Sequence, residues 1–238
     1  MLISSSGKDR SIRIWSICTG LQESLITIPN PKKRAVDVRE KLWITHLWAS
    51  EHELVSSAPG GDLLLWNLQD RSYTPYQTRG HTHVVFSIRS CDNSSPSFIT
   101  ISTDRQIVRW DMVAMKPAWS MLTIGGHVYT LAFHPLDPTR LAIGCGDNLI
   151  RIWQTAAVNP YLIETFWKGI QARVLSVAWH PTQEALLAFG LEDGVVGVYH
   201  VLSHKYTISK TSHVGAVDNV VWAPIDIKLP GVSHLFSG

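Results

Sequence analysis

Short runs rich in β-branched and aromatic residues recur along this chain, loosely alternating apolar with polar positions. SIRIW, DLLLW, QIVRW, LIRIW and VVGVY each close on a ring, at Trp15, Trp66, Trp110, Trp153 and Tyr199. Such runs, four to eight residues long and bounded by small or turn-forming residues, predict strands. Each is preceded by a second β-rich run and a tight turn: SSSGKDR, SSAPGG, TISTDR, AIGCGDN and AFGLEDG. A further strand precedes most of these units, in WITHLW, VYTLAF, VLSVAW and VDNVVW, ending at Trp48, Phe133, Trp179 and Trp222. Pro135, Pro181 and Pro224 stand two residues beyond the last three. Proline has no N–H for a ladder, so it marks the strand's end.

The closing rings are 43 to 51 residues apart. A unit of that length, built of four short strands and closed by tryptophan, has the period of a WD40 repeat. Trp110-Asp111 spells the dipeptide, and Gly80-His81 and Gly126-His127 supply the Gly-His mark. The predicted fold is an all-β WD40 β-propeller of about five blades, each of four antiparallel strands, a to d. A partial blade at 1–28 is followed by blades at 43–78, 84–124, 127–167 and 173–210, then a partial blade at 216–238. A blade buries its faces only against its neighbours, so this reads as part of a larger propeller.

Composition narrows the function. The 21 Lys and Arg against 19 Asp and Glu leave a net charge of +2. Bulk charge therefore does not hold nucleic acid here, and any such role needs a local site. Cys18, Cys91 and Cys145 are scattered, without a CxxC pair, which fits a reducing compartment. MLISSSGKDR lacks a signal peptide's apolar core, and no uninterrupted apolar stretch is long enough to span a membrane. The expected setting is cytosol or nucleus.

Catalysis is not indicated. Asp9, Asp104, Asp147 and Asp193 occur once per blade in the b–c turn, as turn-forming residues do, instead of converging on one point. His81 and His83 lack a third ligand at metal-site spacing. GGD at 60–62 lies between strands, where a phosphate loop would precede a helix. No metal and no cofactor are expected, and the chain reads as a binding platform.

The informative segment is the d–a connection IPNPKKRAVDVREKLW at 28–43, with Lys32, Lys33, Arg34, Arg39 and Lys41 ahead of Trp43. In this repeat, d–a connections and b–c turns share one rim. The reading places Lys8, Arg10, Arg105, His127, Tyr129, Trp167, Lys168 and Arg173 there too. Rings interleaved with cations suit single-stranded nucleic acid, where bases stack and cations hold phosphates. The same residues also fit a solvated loop beside packed aromatics, so the pattern alone leaves two readings open: an RNA surface and a protein–protein scaffold.

KDRSIRIWS, KLWITHLW, LVSSAPGGDLLLWNL, LAIGCGDNLIRIWQT, NPYLIETFWKGI, HPTQEALLAFGLEDGVVGVY and GGHVYTLAF together resemble the N-terminal propeller region of the WD-repeat Gemin family of the SMN complex. The resemblance runs from about 1 to 222 and includes stretches outside the repeat motif, such as EKLW and FWKG. It implies two seven-bladed propellers in the whole family member. It also implies recognition of small nuclear RNA precursors through the uridine-rich single-stranded Sm site and the methylguanosine cap. The RNA passes to SMN complex proteins for Sm-ring assembly, in cytoplasm and nucleus. On this resemblance Trp43 and Tyr129 match base-stacking rings and Arg105 an RNA-contacting arginine. His127 stands where the family often has phenylalanine, and His83 where it has arginine, so an imidazole replaces the fixed charge. Asp218 stands where an aromatic platform is expected, and an acid there neither stacks nor attracts phosphate. No residue is assigned to the cap.

Overall fold

The computed structural model describes residues 2–6, 9–29, 43–78, 80–91, 96–123, 126–155, 163–166, 168–210, 212–223 and 235–237. The chain divides into two compact units, 1–122 and 123–238. Unit 1 holds three sheets. The first is β1 (Leu2–Ser6), β2 (Ser11–Trp15) and β3 (Gln22–Thr27); the second is β4 (His46–Trp48), β5 (Glu53–Ser57), β6 (Leu63–Asn67) and β7 (Ser72–Pro75). The third is β8 (Val85–Ser90), β9 (Ser97–Ser102), β10 (Gln106–Asp111) and β11 (Lys116–Leu122).

Unit 2 holds two four-stranded sheets and a two-stranded one. The fourth sheet is β12 (Val128–Phe133), β13 (Arg140–Cys145), β14 (Ile150–Gln154) and β15 (Ile163–Phe166). The fifth is β16 (Val174–Trp179), β17 (Leu186–Leu191), β18 (Val196–His200) and β19 (Lys205–Ile208), and β20 (Val220–Trp222) pairs with β21 (Leu235–Ser237). Every neighbour is antiparallel and consecutive in the chain, the arrangement that short connections between strands favour.

The period-two pattern gives each sheet two different edges. The second strands are almost wholly buried: β9 throughout, and β5, β13 and β17 after one half-buried residue. The outer strands β7 and β19 are mostly exposed. The closing rings Trp66, Trp110, Trp153 and Tyr199 lie on third strands, buried opposite Leu54, Phe98, Leu141 and Leu187. Within each unit, cores form between neighbouring sheets. Ile12 and Ile14 pack with Leu54, Leu64 and Trp66, and Val55 and Leu63 with Val85, Phe98 and Trp110. In unit 2, Ile150, Ile152 and Phe166 pack with Val177, Phe189 and Tyr199. At about 25 cal/mol per Å² of apolar surface, this face-to-face burial is the main stabilising term.

The His-Pro turns of unit 2 show how polar residues serve this packing. The Nδ1 of His134 accepts the N–H groups of Leu136 and Asp137 at 3.1 and 3.0 Å. His180 Nδ1 accepts those of Thr182 and Gln183 at 3.2 and 3.0 Å. Each imidazole also sets its edge on the tryptophan of the next sheet, Trp179 and Trp222, with centroids 4.7 and 4.5 Å apart. Those indoles donate back to the carbonyls of Ala132 and Ala178 at 3.1 and 2.9 Å.

Burial lowers the pKa of His180 below the ordinary 6.5. The unfolded chain therefore takes up this proton first. The neutral imidazole's contribution is present above about pH 6.5 and is lost as the pH falls below it. Urea midpoints measured from pH 7.5 down to 5 are expected to decline, and His180→Asn, which keeps a turn acceptor, to flatten part of that decline. An unchanged pH slope in the variant removes His180 from the explanation.

Candidate nucleic-acid interface

The b–c turns share one local solution. Asp9, Asp104, Asp147 and Asp193 each precede a residue with left-handed backbone: Arg10 (φ 56°), Arg105 (63°), Asn148 (63°) and Gly194 (86°). Three of the carboxylates accept the N–H two residues on, in Ser11, Gln106 and Val195, at 3.0, 2.9 and 3.2 Å. That is the turn chemistry of aspartate. Asp147 differs, because both its oxygens are taken by Arg151, at 3.0 and 2.6 Å. A left-handed residue bearing a Cβ costs about 1–2 kcal/mol, with glycine and asparagine the usual exceptions. Asn148 and Gly194 follow that rule, whereas Arg10 and Arg105 do not. The same conformation recurs in the turns that lead to β7, β11 and β19, at Arg71, Met115 and His204 (φ 54°, 51° and 54°).

In the third sheet a buried polar chain holds the Arg105 turn in place. Trp110 Nε1–H donates to Thr100 Oγ1 at 2.7 Å, and the Thr100 hydroxyl donates to His81 Nε2 at 2.6 Å. His81 Nδ1–H donates to the Asp104 carboxylate at 3.1 and 3.2 Å, a tautomer assigned from that carboxylate. Asp104 also accepts the Thr82 N–H at 2.9 Å. Burial by itself would raise the Asp104 carboxyl, but the bonds from His81, Thr82 and Gln106 outweigh it and hold it below its ordinary range.

These bonds draw three predicted site residues to one edge of unit 1. The His83 carbonyl accepts from Ser102 Oγ at 3.0 Å, and the Arg105 N–H donates to the Ser102 carbonyl at 3.2 Å. A methyl group on Gly61, in the b–c turn of the second sheet, would lie 2.7 Å from the His83 carbonyl. Ser57, which leads into that turn, donates to the Trp43 carbonyl at 3.2 Å. Trp43, His83 and Arg105 thus stand where b–c turns meet the approaches to first strands. All three are exposed, the indole by 52%.

In unit 2, His127 and Tyr129 occupy the equivalent edge. Val128 pairs with Cys145 and Thr130 with Gly144, leaving Tyr129 as the extra residue of a β-bulge, which turns its ring out of the alternation. The Gly146 N–H donates to the His127 carbonyl at 2.9 Å. A Cβ on Gly146 would sit 2.9 Å from Tyr129 Cε2, so the ring lies across a bare Cα. It remains 37% exposed, and His127 is exposed. The same bulge singles out Phe86 in the third sheet and Leu175 in the fifth, both half-buried and not picked out from sequence. Their signal was the frame shared by VFS, VYT and VLS.

The WD domain, G-beta repeat family matches residues 119–154. The chain is 39% identical to Gem-associated protein 5 of Mus musculus over 239 residues, covering 93% of this chain and 16% of that protein. With Gem-associated protein 5 of Homo sapiens it is 37% identical, covering the same shares. The chain is a WD40-repeat homologue of Gem-associated protein 5. A likeness to Component of gems protein 5 of Dictyostelium discoideum, 27% identical, covers 94% of this chain and 22% of that protein. The chain therefore spans about a sixth of the mouse and human relatives' length. Among solved structures, a chain in the crystal structure of a mitotic checkpoint complex superposes with a TM-score of 0.73. It is 18% identical and covers 94% of this chain and 64% of that one, a likeness of fold alone.

The other rim residues of this WD40 chain differ in availability. Lys168 is exposed, whereas Arg173 pairs with Glu192 at 3.3 Å, an exposed contact of small energetic weight. Asp218 is exposed. Lys8, the basic run Lys32-Lys33-Arg34, Arg39, Lys41 and Trp167 lie outside the described residues. Among the described residues no three His, Cys, Asp or Glu side chains gather as a metal site would require, and no helix is long and apolar enough to cross a membrane.

Proposed function

We propose that this chain is an RNA-recognition surface. It takes the uridine-rich single-stranded Sm site of small nuclear RNA precursors, as part of a protein that also reads the cap. It delivers the RNA to SMN complex proteins for spliceosomal particle assembly, in the cytoplasm and nucleus. The observation that carries this reading is the Trp43 indole, half exposed on an edge that also carries His83 and Arg105. A soluble protein gains nothing by holding an indole in water, and a stacked base covers it at about 1–3 kcal/mol. Tyr129 offers a second ring of the same kind. The names of the relatives, Gem-associated protein 5 and Component of gems protein 5, support the assembly named here.

The test is filter binding with a uridine-rich single strand against a scrambled strand of equal length, over a salt series. The expected result is preference for the uridine-rich strand. Equal binding with a steep salt dependence would mean electrostatic attraction without recognition. No binding to either strand would leave the surface as a protein–protein scaffold. Within unit 2, Gly146→Ala is expected to displace the Tyr129 ring and weaken binding by about 1 kcal/mol, part of one stacked base. The thermal midpoint, read alongside, should shift little, because the displaced ring already faces solvent. A stable variant with unchanged affinity would remove Tyr129 from the surface.

A further inference from the structure

We infer that Thr82 is a positioning residue of the RNA surface, whose hydroxyl fixes the His83 imidazole so that its Nε2–H donates to an RNA oxygen. This rests on the RNA reading given above.

The backbone beneath the ring is held first. Thr82, His83 and Val84 lead into β8, and each is tied to residues 102–104 of the same sheet. The Asp104 carboxylate accepts the Thr82 N–H at 2.9 Å, and the His83 carbonyl accepts from Ser102 Oγ at 3.0 Å. The Val84 carbonyl accepts the Thr103 N–H at 3.1 Å. From the second sheet, Gly61 (φ 84°) sets a bare Cα against the same segment, where a Cβ would lie 2.7 and 2.8 Å from the His83 and His81 carbonyls. Bonds on one side and close packing on the other leave these peptides one position.

The side chain is held next. Thr82 Oγ1 lies 2.9 Å from His83 Nδ1, although both residues are exposed. An exposed ring without such a partner keeps its rotamer freedom until a ligand binds, and ordering it then costs affinity. Here the ordering precedes binding. With Nδ1 engaged by Thr82, Nε2 is the nitrogen left for a ligand. A hydroxyl donates or accepts as its partner requires, so what meets Nε2 selects the tautomer. Phosphate and uracil carbonyl oxygens only accept. Against either, the proton belongs on Nε2 and the Thr82 hydroxyl donates to Nδ1, a tautomer assigned from those partners. Ser102 joins this donor to the cation beside it, since its hydroxyl holds the His83 carbonyl and its carbonyl accepts the Arg105 N–H at 3.2 Å.

The test compares Thr82→Val, Thr82→Ser, His83→Ala and the Thr82→Val/His83→Ala double variant, in the full chain, by filter binding to a uridine-rich and a scrambled single strand. Thr82→Val is expected to weaken binding about threefold to tenfold, the cost of ordering one side chain, and Thr82→Ser to restore it. The thermal midpoint should hold, because the side chain is exposed and the N–H stays with Asp104. The double variant should lose no more than His83→Ala alone, because a hydroxyl acting through the ring has no effect without it. An equal loss on both strands identifies a phosphate oxygen as the acceptor, and a loss confined to the uridine-rich strand a uracil carbonyl. If Trp43→Ala weakens binding while Thr82→Val or His83→Ala does not, the positioning role is overturned and the RNA reading stands. A Thr82→Val loss that persists undiminished without His83 overturns it as well. If no variant matters, Trp43→Ala included, the RNA reading falls and this inference with it. Should Thr82→Val lower the midpoint, Thr82→Ala carries the same comparisons.

Discussion

Thr100→Val lowers the unfolding free energy by about 2–4 kcal/mol, the largest loss expected from a single near-isosteric change in this chain. Valine fills the same volume but removes the hydroxyl that accepts from Trp110 and donates to His81. An indole N–H and an imidazole nitrogen then remain buried without partners, at residues 1% and 0% exposed. Each such group costs about 1–3 kcal/mol. The second sheet supplies the comparison, because Trp66 donates to Ser56 at 2.8 Å without a histidine beyond it. Ser56→Ala strands one donor, and about half the loss is expected there. Urea unfolding at pH 7.5 reads both. A Thr100→Val loss under about 1 kcal/mol would show that the chain from Trp110 to Asp104 contributes no more than an ordinary hydrogen bond.

Trp43→Ala weakens binding to a uridine-rich single strand by about 1–3 kcal/mol, roughly fivefold to 150-fold, with little effect on stability. The side chain is half in water, and the Ser57 hydroxyl donates to the Trp43 carbonyl. Truncation therefore removes a platform and leaves no cavity. Trp43→Phe keeps a flat ring and should retain part of the affinity. Unchanged affinity in Trp43→Ala, measured with the intact chain, separates this indole from RNA recognition.

The repeat was legible because each unit must solve the same packing problem. Trp66, Trp110, Trp153 and Tyr199 are buried at equivalent places on third strands, and rings at that spacing stood out along the chain. Much of the candidate site was legible for the same reason. Asp9, Asp104 and Asp193 accept turn N–H groups as aspartates in such turns do. Asp147 was not predictable, because its partner Arg151 is set by the pairing of β13 with β14. Phe86 and Leu175 were missed because simple alternation takes no account of a bulge, and an extra residue in a strand reverses which side chains face out.

The sequence by itself determined the all-β repeat, the positions of its closing rings and the set of rings and cations from which an RNA surface is proposed. Those follow from periodicity, which every sheet restates. The tertiary structure alone decided which of them face water. Trp43 stands outside while Trp66 and Trp110 are enclosed, Tyr129 is turned out by a bulge across a bare glycine Cα, and Arg173 is held by Glu192. Exposure depends on what the neighbouring turn and sheet place against a side chain, and local sequence does not encode those contacts.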